Sequence, residues 1–403
     1  MLNQKTIEIV KSTVPVLEQY GEQITIRFYQ LMFGNHPELL NIFNHANQKQ
    51  GRQQKALAGT VYAAAMYIDN LEAILPVVKQ IAHKHRSLGI KPEHYPIVGK
   101  HLLLAIKDVL GEAATDEIID AWAQAYDVIA NAFIGVEAEM YHEAATLQGG
   151  WDGFRAFYVD RKVQESDVIT SFYLKPTDNQ AIADFKPGQY ISIKLEIEGQ
   201  KFTHIRQYSL SDAPGKGYYR ISVKREAGTA NPDGVVSNYL HEGVNEGDLL
   251  QISAPAGDFV LDTEKSSPVV LLSGGVGLTP MMSMLKTVVE VQPKRMVAFV
   301  HAAQNSNVHA LREEVEELAQ LENVTSYVFY DSPTDDDRKH NRFDVEGYVT
   351  REWLKEKVSI EDADFYFCGP VPFMKAINSS LQELGINEER IHFEFFGPKA
   401  SLV

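Results

Sequence analysis

The chain has 403 residues, a net charge of −16 at pH 7 and a single cysteine, Cys368. At about 150 residues per domain, this length allows two or three domains, each with its own core. The acidic balance, without a basic run, argues against nucleic acid or an anionic membrane surface as a partner. One cysteine excludes an internal disulfide, a cysteine-ligated iron–sulfur cluster and a haem attached through cysteines. Any metal centre must therefore use histidine or carboxylate ligands.

The acidic charge makes small-molecule chemistry the expectation, and the hydropathy pattern predicts a cytoplasmic protein. The first residues, Met1–Lys5, lack the charged and apolar regions of a signal peptide. No stretch contains the run of about 18 apolar residues that a membrane span requires. We therefore expect no integral membrane span.

The first 147 residues are predicted to be all α-helical. Apolar residues recur at spacings of three and four, as in Ile24, Phe28, Leu31 and Met32. This spacing indicates the buried stripe of an amphipathic helix. Prolines fall where helices would begin or end, and no alternating strand pattern interrupts them.

One helix, over residues 76–88, carries a candidate metal ligand. Val78, Ile81, His85 and Leu88 lie on one helical stripe because they are three or four residues apart. A histidine on an apolar stripe is more often a hydrogen-bonded core residue than a ligand. The spacing alone leaves both interpretations open.

From residue 151 the pattern changes to short β-strands. Runs rich in β-branched and aromatic residues, separated by glycine and proline, predict a small antiparallel barrel that ends near residue 262. Within it, the period of two of a strand places Arg206 and Tyr208 on one face. A guanidinium group beside a phenol suits a ligand with a phosphate and a flat ring, such as a flavin nucleotide. A half-exposed edge strand would explain the same residues.

The third segment, from residue 266, predicts an α/β fold. The apolar run Pro268–Ser273 is typical of a buried parallel strand. A turn follows that consists of Gly274, Gly275, Val276, Gly277, Leu278 and Thr279. Glycines allow the backbone to approach a pyrophosphate, and Thr279 is predicted to cap the next helix. Strands near 296–301 and 365–368 repeat the alternation, so we expect a dinucleotide site. The second strand has neither an acidic residue nor an arginine at its end, which leaves NADH and NADPH both open.

The three segments together resemble a bacterial flavohaemoglobin. The residues that carry the resemblance in the helical half are Tyr29, Phe43, Gln53, Leu57, His85, Tyr95 and Glu137. The resemblance implies a globin domain over 1–147, an FAD-binding β-barrel of the ferredoxin-reductase type over 151–262 and a Rossmann-like NAD(P)H-binding domain over 266–403. It also implies haem b, FAD and NADH or NADPH as cofactors.

In that family the residue matching His85 binds the haem iron on the proximal side. Those matching Tyr95 and Glu137 form a relay onto this histidine, and those matching Tyr29 and Gln53 contact the distal ligand. The residues expected to line the rest of the haem pocket are Phe43, Leu57 and Lys84. Lys84 is also expected to act with Glu394 on the two redox potentials.

The resemblance assigns the flavin and nicotinamide residues as well. Tyr208 is expected to pack on the flavin ring and Arg206 to bind the pyrophosphate. The flavin residues are Tyr190, Arg206, Gln207, Tyr208, Ser209, Gly234, Ser237, Glu394, Phe395, Phe396, Gly397 and Pro398. The nicotinamide residues are the glycine-rich turn with Cys368, Gly369 and Pro370. Cys368 is expected to orient the ring without a covalent role.

The activity implied by this resemblance is that of a nitric oxide dioxygenase, which removes nitric oxide as nitrate. Electrons would pass from NAD(P)H through FAD to haem, with O₂ and NO as the other small-molecule partners. A lipid or hydroperoxide is a further candidate for an apolar distal pocket, and we expect a monomer. Two alternatives are a flavin-dependent reductase of ferric iron, quinones or oxygen, and a globin that senses oxygen or nitric oxide.

Overall fold

Helices form the first part of the computed structural model, which describes residues 2–44, 48, 50–226, 234–358 and 362–397. The α-helices are α1 Gln4–Ser12, α2 Val14–Asn35, α3 Arg52–Met66, α4 Leu75–Leu88, α5 His94–Leu110 and α6 Asp116–Thr146. Short 3₁₀ helices lie at Pro37–Asn41, Leu71–Ile74 and Gly111–Ala113. The prediction of an all-α first segment is confirmed for the residues described.

The predicted apolar stripe of α2 lies in the helical core. Ile24, Phe28 and Met32 are at most 1% exposed, and they pack in one cluster with Ile106 of α5 and Trp122 of α6. Burial of each such side chain contributes about 1.5–3 kcal/mol. The stripe therefore attaches α2 to the helices that follow it.

Helix α4 begins and ends with the expected signals. Pro76 lies in its first turn, where the missing N–H has no partner to lose. Gly89 ends it with φ +78°, a left-handed conformation that favours glycine. These two signals set the length of the helix that carries His85.

A six-stranded sheet follows the helices. Its strands are β1 Phe154–Gln164, β2 Ile169–Pro176, β3 Tyr190–Leu195, β4 His204–Ser209, β5 Tyr219–Lys224 and β6 Leu249–Ser253, with helix α7 at Val235–Glu242. The strand order is β4-β3-β6-β1-β2-β5, and β2 pairs antiparallel with both β1 and β5. An antiparallel bridge joins Leu210, just after β4, to Ile221 of β5. Because β4 and β5 are at opposite ends of the order, this bridge closes the predicted barrel.

The last part is an α/β structure. Its strands are β7 Val269–Gly274, β8 Val297–Ala303, β9 Val324–Tyr330, β10 Val345–Glu346, β11 Asp364–Cys368 and β12 Ile391–Glu394. The helices are α8 Leu278–Val291, α9 Arg312–Leu318, α10 Asp335–Lys339, α11 Arg351–Lys357 and α12 Val371–Glu383, with 3₁₀ helices at Gly275–Gly277, Ser306–Val308 and Glu388–Arg390. The order is β10-β9-β8-β7-β11-β12, and neighbouring strands are parallel. The predicted Rossmann-like fold is confirmed.

The chain divides into two units. The first comprises Met1–Phe154 and Ser192–Arg206, and the second comprises Arg155–Ile191 and Gln207–Val403. Within the described residues, no helix is both long enough and apolar enough to cross a membrane.

Candidate functional site

His85, Tyr95 and Glu137 meet in the first unit although they belong to three different helices. Nδ1 of His85 lies 2.7 Å from Oε1 of Glu137 and 3.3 Å from the hydroxyl of Tyr95. That hydroxyl donates a hydrogen bond of 2.5 Å to the same carboxylate oxygen. The carboxylate of Glu137 is therefore the common acceptor for the imidazole and the phenol.

The surroundings of Tyr95 keep its hydroxyl protonated, so that it acts as a hydrogen-bond donor. Burial, and after it the hydrogen bond to Glu137, raises the pKa of the Tyr95 hydroxyl above its ordinary value. The hydroxyl of Tyr126 in turn donates 2.7 Å to the backbone carbonyl of Tyr95. Tyr126 was not among the predicted site residues, because its role is visible only once α5 and α6 are packed together.

His85 has the geometry of a metal ligand that a carboxylate orients. An ionised carboxylate only accepts, so Nδ1 carries the proton and Nε2 keeps its lone pair. The imidazole is 31% exposed whereas Glu137 is 3% exposed, and no hydrogen bond to Nε2 is found among the described residues. A histidine fixed in this tautomer fits an axial ligand of haem iron.

The predicted distal residues surround Tyr29. Tyr29 is 6% exposed, and its ring lies 5.8 Å from that of Phe43. Burial raises the pKa of its hydroxyl above the ordinary value, against the opposing effect of hydrogen bonds with Gln48 and Gln53. The phenol is thus protonated and can donate. Gln48 was missed by the sequence analysis, since no spacing pattern connects it to Tyr29.

Helix α3 presents apolar side chains that are only partly covered. Of its 15 residues, Ala64 and Ala65 are the buried ones, and Leu57 and Val61 are partly buried against the helical core. An apolar face in this state suits contact with a further flat apolar group. Together with His85 and Tyr29, this face fits a haem.

Lys84 directly precedes His85 on α4 and is half-buried. It belongs to the first unit, and Glu394 belongs to the second. Their joint effect on the redox potentials stays a prediction.

The flavin residues fall in several elements. Arg206 is the last residue of the first unit. Gln207, Tyr208 and Ser209 follow it and belong to the second unit. Arg206 and Tyr208 are two residues apart on β4, as predicted, and both are partly buried. The N–H of Leu210 donates 2.9 Å to the carbonyl of Gln189. That bond brings the Ser209 end of β4 beside Tyr190.

The start of α7 holds the predicted phosphate loop. Gly234 precedes the first helical residue, and the hydroxyl of Ser237 donates 3.1 Å to the carbonyl of Gly234. A Cβ on Gly234 would lie 2.6 Å from this hydroxyl oxygen and 2.9 Å from Cβ of Glu226, so a larger residue would force these side chains to move. The exposed N–H groups of a helix start are suited to an anion.

In the nicotinamide part, the glycines of the turn after β7 also allow two segments of backbone to pack closely together. A Cβ on Gly277 would lie 2.2 Å from the backbone oxygen of Cys368. One on Gly369 would lie 2.7 Å from the Phe373 ring and 3.1 Å from the backbone of Gly274. The turn after β7 and the turn after β11 therefore approach more closely than side chains would permit. This contact brings Cys368, Gly369 and Pro370 next to the predicted pyrophosphate turn.

The predicted cap of α8 was wrong. The helix begins at Leu278 after Gly277, without a side-chain cap. The hydroxyl of Thr279 is inside the first turn and donates 3.1 Å to the carbonyl of Val276. Because the helix begins one residue before Thr279, this residue lies inside the first turn and not at the N-cap position. That this turn and the helix start bind a phosphate stays a prediction.

Cys368 is fully buried and paired with Ser273 and Glu394 in neighbouring parallel strands. Burial, and after it the charge of Glu394, raises the pKa of the thiol well above its ordinary value. A neutral buried thiol is a poor nucleophile. This agrees with a packing role without covalent chemistry.

The tail begins as the edge strand β12. Its Glu394 pairs with β11, the ring of Phe395 lies 5.7 Å from that of Phe393, and Phe396 is 47% exposed. Gly397 donates 2.9 Å to the carbonyl of Phe395. The predicted flavin residue Pro398 lies outside the described residues.

Comparison with known proteins accounts for all three parts of the chain. The family model described as Globin matches residues 26–133, the Oxidoreductase FAD-binding domain matches 156–261 and the Oxidoreductase NAD-binding domain matches 271–379. The flavohemoprotein of Bacillus thuringiensis subsp. konkukian is 64% identical over 403 residues, which cover 100% of both chains. The chain belongs to the flavohemoprotein family.

Other flavohemoproteins support this membership. That of Bacillus subtilis is 58% identical over 402 residues, covering 100% of this chain and 99% of the relative. The flavohemoglobin from Malassezia yamatoensis, solved with bound FAD and heme, has a TM-score of 0.85 at 28% identity and covers 98% of this chain and 100% of its own. The FAD/NAD binding domain of a nitric oxide dioxygenase from Vibrio cholerae has a TM-score of 0.56 at 42% identity, over 60% of this chain and 99% of its own. The predicted flavohaemoglobin resemblance is confirmed.

Proposed function

We propose that this flavohemoprotein is a nitric oxide dioxygenase, in which electrons pass from NADH or NADPH through FAD to haem b and nitric oxide is oxidised to nitrate with O₂. The observation that carries the proposal is the contact of His85 Nδ1 with the buried carboxylate of Glu137, in a globin that continues into a flavin and nicotinamide reductase. A sensor globin does not need the reductase, and a flavin reductase does not need an oriented histidine. The nitric oxide dioxygenase of Vibrio cholerae supports the same activity.

In the globin, the proposal assigns a role to each polar side chain. Nε2 of His85 would hold haem, which would supply an iron centre able to bind O₂ and to accept electrons one at a time. Glu137 and Tyr95 keep the proton on Nδ1 and increase the basicity of Nε2, which favours oxygen chemistry over carriage. Tyr29, oriented by Gln53, donates a hydrogen bond to the negative charge that develops on the distal ligand.

In the reductase, Arg206 would bind the flavin pyrophosphate and Tyr208 would cover the ring. Bound FAD accepts an electron pair as hydride and releases electrons singly. The helix start at Leu278 offers N–H groups to the nicotinamide pyrophosphate, and the turn after Cys368 faces that turn. The domain limits 1–147, 151–262 and 266–403 are part of this proposal, as are a cytoplasmic location, a monomeric state and a lipid or hydroperoxide as a further distal ligand.

The test is an absorption spectrum of the full-length protein with haem and FAD, taken anaerobically after NADH is added. Flavin and haem are expected to be reduced in turn, and later addition of O₂ and NO is expected to yield two nitrates per nicotinamide, since each hydride carries two electrons. His85→Ala is expected to abolish nitrate formation and to leave NADH oxidation by ferricyanide intact. His83→Ala, on the same helix, is the matched control. A haem that stays oxidised in the presence of both NADH and NADPH would contradict the proposal.

A further inference from the structure

Four charged side chains connect the flavin barrel to the nicotinamide part inside the second unit. Asp212, Arg220, Lys286 and Glu314 form this interlobe cluster. Arg220 is 1% exposed, Asp212 5%, Lys286 20% and Glu314 30%. Asp212 and Arg220 belong to the barrel, whereas Lys286 is on α8 and Glu314 on α9. No cofactor role was assigned to any of them.

The four groups alternate in charge around a closed ring. Arg220 donates 2.5 Å to Oε1 of Glu314, and Nζ of Lys286 lies 3.0 Å from Oε2 of the same carboxylate. Lys286 also lies 2.7 Å from Oδ1 of Asp212, whose Oδ2 is 4.0 Å from Nε of Arg220. Two of these pairs, Arg220 with Glu314 and Lys286 with Asp212, join the flavin barrel to the nicotinamide part.

The ring is also attached to the barrel by neutral groups. Tyr218 donates 2.8 Å to Oδ2 of Asp212, and Arg220 donates 3.2 Å to the hydroxyl of Ser211. Burial opposes the ionisation of Asp212, but Arg220 and Lys286 hold the pKa of this carboxyl below its ordinary value. Burial likewise opposes the charge of Lys286, yet Asp212 holds its pKa above the ordinary value. Both groups therefore stay charged around neutral pH.

The cluster connects the two segments that hold the reacting cofactors. Asp212 follows Ser209, the end of the flavin strand β4, by three residues. Lys286 lies on α8, whose first residue Leu278 directly follows the glycine-rich turn. Apolar side chains such as Phe259 of the barrel and Met281 of α8 also share a core. Hydrogen-bonded ion pairs have a preferred geometry whereas apolar contact does not, and this cluster is more buried than the pair of Lys216 with Glu290. The cluster can therefore restrict the orientation of the two parts.

We propose that Lys286 is a positioning residue for hydride transfer, because it holds α8 and its glycine-rich turn in one orientation against Asp212 and the flavin strand. This inference rests on the proposed function, in which flavin and nicotinamide bind at those two segments. In the step concerned, a hydride with its two electrons leaves the dihydronicotinamide, which is oxidised, and bonds to the flavin, which is reduced. A small displacement of either ring slows such a transfer strongly.

The test compares Lys286→Met with the parent in the full-length holoprotein, by anaerobic stopped-flow measurement of flavin bleaching over a range of NADH concentrations. The limiting rate is expected to fall by about tenfold to a hundredfold, because a displacement near 1 Å costs up to about a hundredfold. The dissociation constant for NADH and the flavin content are expected to change little. Lys286→Arg is expected to restore most of the rate, since it keeps the charge.

The matched control is Lys216→Met. Lys216 binds Glu290 of α8 at 2.6 Å, so this pair joins the same two parts, but its side chains are 32% and 39% exposed. Solvent screens exposed pairs, so they contribute little, and we expect less than about a threefold change in rate. If Lys216→Met and Lys286→Met lower the limiting rate equally, the proposal is overturned. Any ion pair between the barrel and the nicotinamide part would then have the same effect.

A second readout does not depend on turnover. The N–H of Ala213 donates 2.8 Å to Oδ1 of Asp212, and that of Ser211 donates 2.8 Å to the carbonyl of Arg220. Hydrogen exchange at these two amides is expected to accelerate in Lys286→Met and not in Lys216→Met. If the parent itself fails to reduce its flavin with NADH or NADPH, the proposed function fails and the exchange result still decides the role of the cluster.

The inference would also be overturned by an unchanged limiting rate in folded, flavin-loaded Lys286→Met, whether or not the affinity for NADH falls. Unchanged exchange at Ala213 would overturn it as well. If Lys286→Met does not fold, Glu314→Gln replaces it, because the amide keeps the shape of this partly exposed side chain while losing its charge and one of the two acceptor oxygens, which receive Arg220 and Lys286. The same slower limiting rate is expected in Glu314→Gln, and a parental rate would refute the proposal.

Discussion

Replacing Glu137 by glutamine isolates the effect of the buried negative charge beside His85, because the side chain keeps its shape. The side chain of Glu137 is 3% exposed, and its Oε1 accepts from Tyr95 at 2.5 Å and from His85 at 2.7 Å. Hydrogen bonds to a charged group contribute about 1.5–3 kcal/mol and neutral ones about 0.5–1.5 kcal/mol. Each of the two bonds should therefore weaken by about 1 kcal/mol, or about 2 kcal/mol together.

We expect Glu137→Gln to bind haem about 30-fold more weakly, which is about 2 kcal/mol expressed as an equilibrium constant. Loss of a group that orients a ligating histidine typically costs about tenfold to a hundredfold. The assay is the rate at which haem moves to an excess of haem-free acceptor globin, followed by the Soret band. Resonance Raman spectra should also show a lower iron–histidine stretching frequency, because the imidazole of His85 loses imidazolate character.

Glu139→Gln is the control, since Glu139 is exposed on the same helix and should leave both quantities unchanged. A Glu137→Gln protein that releases haem at the parental rate and keeps the parental stretching frequency would refute the role of the charge. Such a result would leave Glu137 as a structural hydrogen-bond acceptor only.

Three further predictions concern other parts of the molecule. Tyr29→Phe removes the buried distal hydroxyl and should speed the release of O₂ in flash photolysis; an unchanged off-rate would exclude Tyr29 as a donor. Gly277→Ala places a Cβ 2.2 Å from the Cys368 oxygen and should lower the free energy of unfolding by about 1–3 kcal/mol, measured by urea denaturation; a parental midpoint would show that the two turns can separate freely. Burial lowers the pKa of His301 to about 4, from an ordinary 6.5. Between these two pH values the unfolded chain binds a proton that the folded protein does not, so the free energy of unfolding should fall as the pH drops from 6.5 to about 4. His301→Gln should show a shallower fall, and equal slopes would contradict this account.

Local patterns predicted most of the elements. The stripe of Ile24, Phe28 and Met32 is buried as expected, because the periodicity of a helix is a property of a few successive residues. Pro76 and Gly89 limit α4 for reasons equally local. The cap assigned to Thr279 failed because α8 begins one residue earlier, at Leu278, and local patterns do not define a helix boundary to a single residue.

The site was predicted in two different ways. The position of His85 on an apolar stripe follows from the residues alone, whereas its connection to Tyr95 and Glu137 was implied only by the family resemblance. Gln48 and Tyr126 were expected on neither ground. Their hydrogen bonds exist only when separate helices are packed together.

The sequence by itself determined most of the secondary structure, the three-part fold and the helical position of His85, because backbone sterics and hydrophobic spacing act over short stretches of chain. Only the tertiary structure decided which charges meet. Glu137 reaches His85 across 52 residues, and Arg220 reaches Glu314 across 94. Such pairs form only when whole helices and strands pack together. Burial removes the charges from water, and an unpaired buried charge would be strongly destabilising.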